Sequence, residues 1–426
     1  MKILLIHYRY SIIGGPERYL FNIMKLLSNK GHEVIPFSIN YDGNYETKYS
    51  KYFVNPVNSE FHSHKISKIS FDAFKTGYKL FYNKQAYNNL NQLIKLEKPD
   101  IAYILLFSKF SNLILKSLKE NNIPIILRIS DFSYFCSRGV FLMKNEVCEK
   151  CLISSFHRVI NKCNNDSLVL SIVDYLKKIY DNKNGYFNYV DELIIPSKFT
   201  EWYYSHYKIF KNAKINHIPT FALNDDSKLF FTNENYIKDR FLKKTITVFG
   251  RVSKEKGIET LLHAIKELMK DQNYDIKTNI IGFTASQYCI DLKNLIKELE
   301  LKNIHCYEFL EKDELYKILE STSFVIIPSV CYDNMPNTLI EAQSLGIPVI
   351  ASETGSFPEL IKNSYNGFLF KVKNSFDLAK ILTNSFNISS EIYSKLSNNS
   401  IKWTKDYCSE DSHYNKLISV FNKKLK

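Results

Sequence analysis

The chain has 426 residues, a length for two or three domains, and 45% of them are hydrophobic, as in an ordinary folded globular protein. No stretch approaches the ~18–20 apolar residues of a membrane span, and residues 1–6 are too short for a signal-peptide core, which argues against a membrane-spanning or secreted protein. The net charge of +13 is uneven: residues 1–220 carry 30 Lys+Arg against 18 Asp+Glu, a balance of +12, and residues 221–426 carry 27 against 26, a balance of +1.

In chain order, residues 3–6 read as a first buried strand. Residues 17–27 place Leu20, Ile23, Met24 and Leu27 at helical spacing. Further strands are expected at 33–37, 101–106, 124–129 and 192–195. The Tyr/Asn/Lys-rich stretch 41–98 gives no clear pattern, and 132–190 reads as a long insertion carrying half of the eight cysteines. The run His217-Ile218-Pro219-Thr220 and the polar stretch 224–235 look like a linker. A second series of strands follows at 246–249, 279–281, 304–307, 324–327 and 348–351. The helix after Gly257 sets Leu261, Leu262, Ile265, Leu268 and Met269 on one face. Residues 401–426, with Trp403, Tyr407, Tyr414, Leu417, Val420 and Phe421, read as helical. Strands alternating with helices argue for parallel α/β units. The expected fold is two Rossmann-like, doubly wound parallel-sheet domains, 1–220 and 221–403, facing across a cleft. Ligands in such sheets sit beyond the carboxyl ends of the strands.

Two segments of the second half carry chemistry. In Phe249-Gly250-Arg251-Val252-Ser253-Lys254-Glu255-Lys256-Gly257, a strand runs into a loop with two fixed cations before a helix. Arg251 offers a fork of donors for phosphate oxygens and Lys256 a compact charge. Gly257 permits close backbone approach or positive φ. In Pro328-Ser329 and Asp333-Asn334-Met335-Pro336-Asn337-Thr338, a helix begins after an acid, with Asp333 or Asn334 able to cap and Pro336 suited to the first turn. The helix start is an anion site, and Glu341, about one turn further on, can accept hydrogen bonds from ribose hydroxyls. Cations for a diphosphate and acids for sugar hydroxyls point to a nucleotide-sugar site.

From about 245 to 370 the chain resembles the donor domain of the group 1, family 4 retaining glycosyltransferases, which have the GT-B fold. The resemblance rests on the Phe249-to-Gly257 run, Pro328-Ser329, and Asp333 followed by Leu339-Ile340-Glu341-Ala342. It continues through Gly346-Ile347-Pro348-Val349-Ile350-Ala351, Gly355-Ser356-Phe357-Pro358-Glu359 and Asn366-Gly367-Phe368. It implies that Arg251 and Lys256 hold the diphosphate, Glu341 the ribose, and Asp333 the transferred sugar, with Gly250 and residues Asn334, Met335, Pro336, Asn337 and Thr338 around the donor. It also implies that a helix in 404–426 crosses back to the first domain. The chain departs from the family in having Asp333 where Glu is usual, and Phe309-Leu310-Glu311 where a Gly follows Phe-Leu.

In the first half, Gly14-Gly15 precedes a helix and is similar to the family's glycine loop that faces the donor. His7 reads as a polar strand-end residue. Ser130-Asp131 stands where family members often carry His-Asp. Asp131 is then an acceptor contact or base, or else a turn acid that caps the next segment. Ser197, in Pro196-Ser197-Lys198, is expected to face the cleft. Cys136, Cys148, Cys151 and Cys163, at spacings of 11, 2 and 11 intervening residues, could hold a structural zinc or be small buried residues.

The reading is transfer of a sugar from a UDP- or GDP-sugar to an acceptor hydroxyl with retained configuration. No cofactor is required for catalysis, because the cations stand in for a metal. The basic first half implies an anionic membrane surface and a glycan or lipid-linked acceptor, as in capsule or O-antigen polysaccharide biosynthesis, although an A+T-rich composition also favours Lys and Asn. Nucleic acid is not expected as a partner, since no RNP, zinc-finger or helix-turn-helix signature occurs. The protein is expected in the cytoplasm, peripheral on the inner face of the cell membrane. The alternatives are a nucleotide-sugar 2-epimerase of the same fold and an inactive sugar-nucleotide-binding scaffold.

Overall fold

The computed structural model describes residues 1–56, 79–107, 109–222, 233–270 and 275–425. The chain divides into two compact units. The first holds Met1–Phe141, Cys148–Ile218 and His413–Lys426; the second holds Leu142–Val147 and Pro219–Ser412. The division falls two residues before the expected 220/221 boundary, and the returning C-terminal segment starts at 413 rather than 404. Most of the polar stretch 224–235, and part of 41–98, lie outside the described residues.

In chain order the first half builds strands β1 (Lys2–His7), β2 (Glu33–Phe37), β3 (Ile101–Leu106) and β4 (Ile125–Arg128), a small hairpin of β5 (Leu142–Met143) and β6 (Glu146–Val147), then β7 (Glu192–Ile195) and β8 (Lys214–His217). Unit 1 is a six-stranded sheet in the order β2-β1-β3-β4-β7-β8, parallel throughout. Its central strands are continuous apolar runs because helices cover both faces; Ile3, Leu4, Leu5 and Ile6 are fully buried. Strand β8 is one that sequence patterning misses. Its Lys-Ile-Asn-His composition suits an edge, where no apolar run is required.

The final helix, Glu410–Leu425, packs into this unit. His413 Nε2 lies 3.0 Å from the Tyr19 hydroxyl, which in turn is 2.8 Å from that of Tyr103. Phe421 meets the edge of Tyr103 at 5.5 Å between ring centroids, and Lys424 pairs with Glu192 at 3.0 Å.

Unit 2 carries β9 (Thr245–Phe249), β10 (Lys277–Ile281), β11 (Ile304–Tyr307), β12 (Phe324–Ile327), β13 (Val349–Ser352) and β14 (Gly367–Phe370). They form a parallel sheet in the order β11-β10-β9-β12-β13-β14. Strand order reverses between β9 and β12, so the loops leaving those two strands open beside one another at a topological switch point. These are the loops that carry the cations and the acid. Helix Ile258–Leu268 buries Ile258, Leu261, Leu262, Ala264, Ile265 and Leu268 against the sheet, as its spacing predicts. Among the described residues no helix is long and apolar enough to cross a membrane.

Helix Asn337–Ser344, which begins at the site, is held at its far end by a buried cation. Arg240, 1% exposed, donates to the carbonyls of Leu345 and Gly346, and to Ser397 Oγ at 3.0 Å. Its Nε donates to the Tyr393 hydroxyl at 3.2 Å. A positive charge at a helix C-terminus complements the helix dipole, and a buried guanidinium requires this number of acceptors. Arg240→Met would remove the donor to the Leu345 carbonyl and to Ser397 Oγ, and leave the Gly346 carbonyl with the Ser397 hydroxyl. The expected result is a loss of about 2–4 kcal/mol in stability, read as a lowered urea midpoint.

Candidate functional site

The strand β9 loop turns through a 3-10 segment, Lys254–Lys256, and then enters helix Ile258–Leu268. Gly257 makes this possible, with φ +60 and a Cα packed so tightly that an added Cβ would lie 2.2 Å from the Pro328 carbonyl oxygen. The Val330 N–H also donates to the Glu255 carbonyl at 3.0 Å. These contacts join the two motif-bearing loops. Their consequence is an ion pair: Lys256 Nζ lies 2.8 and 3.1 Å from the two carboxylate oxygens of Asp333, with side chains 29% and 16% exposed. Burial works against the Lys256 charge, but Asp333 more than offsets it and holds the ammonium above the ordinary lysine value.

Asp333 is positioned from behind. The Ser356 N–H donates to its carbonyl at 3.1 Å. Gly355, at φ +56, brings its Cα so close that a Cβ would meet the Asp333 backbone at 2.9 Å. Sequence reasoning read Gly355 as part of a family signature without giving it this work. Burial and the neighbouring Asp333 charge push the Cys331 thiol up to about 12, so it stays protonated beside the pair.

The other expected donor residues divide into two groups. Thr338 Oγ1 is 3.5 Å from the Phe249 carbonyl, which sets the start of helix Asn337–Ser344 against Gly250. Pro336 stands at the N-cap rather than inside the first turn; Asn337 and Glu341 are half-buried. Arg251 instead points outward, 74% exposed and paired with Glu255 at 2.8 Å. Met335 turns its side chain into the core with Leu339 and Phe357, and its Sδ accepts from the Thr220 N–H at 3.1 Å; only its backbone is available to a donor. Asn334 is buried as well.

In unit 1, Gly14 caps helix Gly15–Asn29, and its N–H donates to Glu17 Oε2 at 3.0 Å, so the chain's own buried carboxylate occupies the loop expected to take a phosphate. His7 is buried at the end of β1, its Nδ1 2.8 and 3.0 Å from the Arg9 carbonyl and amide. Glu17 Oε1 is 3.9 Å from Nε2, beyond hydrogen-bond reach. Burial therefore dominates and lowers His7 to about 4. Ser130 donates to the Leu105 carbonyl at 3.2 Å. Asp131 accepts from the Ser133 N–H at 2.8 Å, an Asx turn, and burial raises its carboxyl above the usual range.

One expectation is corrected. Ser197 does not face open space: it is fully buried and caps helix Lys198–Tyr207, its Oγ accepting from the Thr200 N–H at 3.2 Å. Among the described residues no three His, Cys, Asp or Glu side chains are placed to hold a metal ion. Cys136, Cys148, Cys151 and Cys163 are free thiols in one neighbourhood, and burial pushes Cys151 up to about 11.

Residues 234–403 match the family model described as glycosyl transferases group 1. The "uncharacterized 41.2 kDa protein in cps region" of Klebsiella pneumoniae is 26% identical, over 63% of this chain and 71% of its own. The amylovoran biosynthesis glycosyltransferase AmsK of Erwinia amylovora is 27% identical over 31% of this chain and 33% of its own. Anabaena HepE, solved in complex with UDP-glucose, superposes with a TM-score of 0.65 at 14% identity, over 99% of this chain and 100% of that one. Both parallel-sheet units therefore follow the GT-B plan, and residues 234–403 resemble the glycosyl transferases of group 1.

Two measurements test this description. Gly257 and Gly31 both have positive φ, at +60 and +81, but a Cβ on Gly31 meets nothing within 4 Å. Gly31→Ala should cost only the conformational term of ~1–2 kcal/mol, while Gly257→Ala should cost more and also weaken nucleotide-sugar binding; equal melting points would contradict the close approach of the two loops. The pH test concerns His7. Below its ordinary 6.5 the unfolded chain takes up a proton that the folded chain refuses down to about 4, so its contribution to stability is complete above 6.5 and falls away as the pH drops toward 4. A His7→Asn variant should show a flatter stability profile across that window.

Proposed function

We propose that this protein is a group 1 glycosyltransferase, a retaining enzyme of family 4 that moves a sugar from a nucleoside diphosphate sugar to an acceptor hydroxyl. One observation carries the reading: a charged, half-buried lysine paired with an acid at the switch point, beside the start of a helix. When a donor binds, Lys256 exchanges Asp333 for diphosphate oxygens, and Arg251 swings from Glu255 to the same group. Asp333, released, accepts from hydroxyls of the transferred sugar, and Glu341 accepts from the ribose. The anomeric carbon–oxygen bond to the diphosphate breaks while the bond to the acceptor oxygen forms on the same face. The acceptor's proton passes to a β-phosphate oxygen, and the nucleoside diphosphate leaves. Lys256, Arg251 and the helix start stabilise the charge that grows on the leaving group, the kind of preorganised term that usually dominates. The raised carboxyl of Asp131 suits an acceptor contact.

The UDP-glucose complex of HepE supports a UDP-sugar donor, with GDP-sugars as the alternative. The relatives from a cps region and from amylovoran biosynthesis support a place in bacterial surface polysaccharide assembly, with a lipid-linked acceptor and a peripheral position on the inner membrane face.

A thermal-shift panel of UDP- and GDP-sugars tests the donor. The matching one, at about 100 times its Kd, should stabilise by about 2.7 kcal/mol. Lys256→Ala should lose both that shift and sugar transfer. A fully active Lys256→Ala enzyme would place the donor elsewhere, and an inverted product anomer by NMR would remove the protein from the retaining class.

A further inference from the structure

The helix Leu168–Asn184 of unit 1 is inside out. Its polar residues face the protein. Ser171 is fully buried and its Oγ accepts from the Asn164 N–H at 3.0 Å. Asp174 accepts from Arg158 Nη1 at 2.8 Å and from the Ser137 hydroxyl. Lys178 donates to the Tyr134 carbonyl at 3.3 Å, and Asp181, paired with Lys177, is buried. The opposite face presents Leu168, Val169, Ile172, Leu176 and Ile179, each between 39% and 53% exposed. On a 3.6-residue helix these five fall within one stripe about 100° wide. A helix usually turns such a stripe toward the core.

The stripe does not stand alone. The short helices Lys150–Ile153 and His157–Ile160 add Ile153, 89% exposed, with Phe156 and Ile160 also exposed. The Phe156 ring lies 5.4 Å from that of Tyr175, which joins these residues to the long helix. A contiguous apolar surface of this kind marks a place of interaction. Its surroundings are basic. Lys150, Lys162 and Lys183 are exposed, while the exposed Asp166 is paired with Arg138 at 2.7 Å and Glu149 accepts from the Tyr203 hydroxyl.

We propose that this face, formed by the outward stripe of helix Leu168–Asn184 with Ile153, Phe156 and Ile160, docks on an anionic lipid surface. The apolar side chains would enter the boundary between headgroups and acyl chains, and the lysines would meet the lipid phosphates, the composition by which interfacial helices bind. A second copy of the chain fits less well, because a symmetric pairing of this face brings one basic surround against another. The inference deepens the reading of a lipid-borne acceptor and rests on it, since docking here would bring unit 1 to the layer in which such an acceptor lies.

The full-length protein is sedimented with phosphatidylcholine vesicles, with or without phosphatidylglycerol. Binding to the phosphatidylglycerol vesicles alone, weakened by high salt, is the expected result. The double variant Ile172→Glu/Leu176→Glu should bind at least about tenfold more weakly while keeping the wild-type thermal shift with its nucleotide sugar. Ile153→Glu, on a different helix, should weaken binding in the same direction and guards against a folding defect in the double variant. Unchanged vesicle binding by all these variants overturns the proposal. So does a wild-type protein that ignores anionic vesicles, or one that elutes as a dimer which the double variant splits, since a second copy then covers the face. Vesicle binding without any nucleotide-sugar shift would support the surface while refuting the transferase reading, so the two failures are distinguishable.

Discussion

A guanidinium with no water around it must find its acceptors in the chain, and in unit 2 Arg240 finds them at the end of helix Asn337–Ser344. The same side chain reaches Tyr393 and Ser397 of helix Ser390–Tyr407, and Tyr393 donates onward to the Ser323 carbonyl at 2.6 Å, just before β12. One buried cation thus ties together three helices and a strand entry. The helix it anchors starts with Asn337, four residues after Asp333, so the place of the site acid depends on the far end of the helix being fixed. A loose helix could slide along the sheet; one held by charge at its C-terminus cannot do so without stranding that charge.

At the other end of the helix, sheet topology does the corresponding work. Strands β9 and β12 are neighbours although β10 and β11 lie between them in sequence, and this brings Lys256 within reach of an acid 77 residues away. Without ligand, the two charges satisfy each other. The pair is therefore close to neutral at rest, and any anion that claims the lysine must offer more than Asp333 does. Asp333 meets the ammonium with both oxygens.

Much of this was legible in the sequence, for identifiable reasons. Central strands such as β3 and β12 are fully buried apolar runs, and the expected bounds 101–106 and 324–327 match the structure. Strands β8 and β14 escaped because an edge position or a short Gly-Phe-Leu-Phe segment leaves little pattern. The residue types of the donor site could be named, but not their directions. Arg251 points to solvent and Met335 to the core, and a linear motif does not distinguish these. Ser197 misled because a serine after a strand serves equally as a helix cap or a ligand contact. Helix Leu168–Asn184 was hidden for the opposite reason. Its periodicity is sound, but periodicity locates an apolar stripe without saying which side faces outward.

The return of the last helix to unit 1 has a consequence for how the protein is made. Residues 413–425 complete a layer whose other parts end at Ile218, and the whole of Pro219–Ser412 is translated between them. At about 5–20 residues per second, the ribosome needs roughly ten to forty seconds to cover that interval. Until then Tyr19, Tyr103 and Glu192 await His413, Phe421 and Lys424. Unit 2 has its whole sequence first, although it is encoded second, and the first-encoded unit closes only once residues 413–425 have been made.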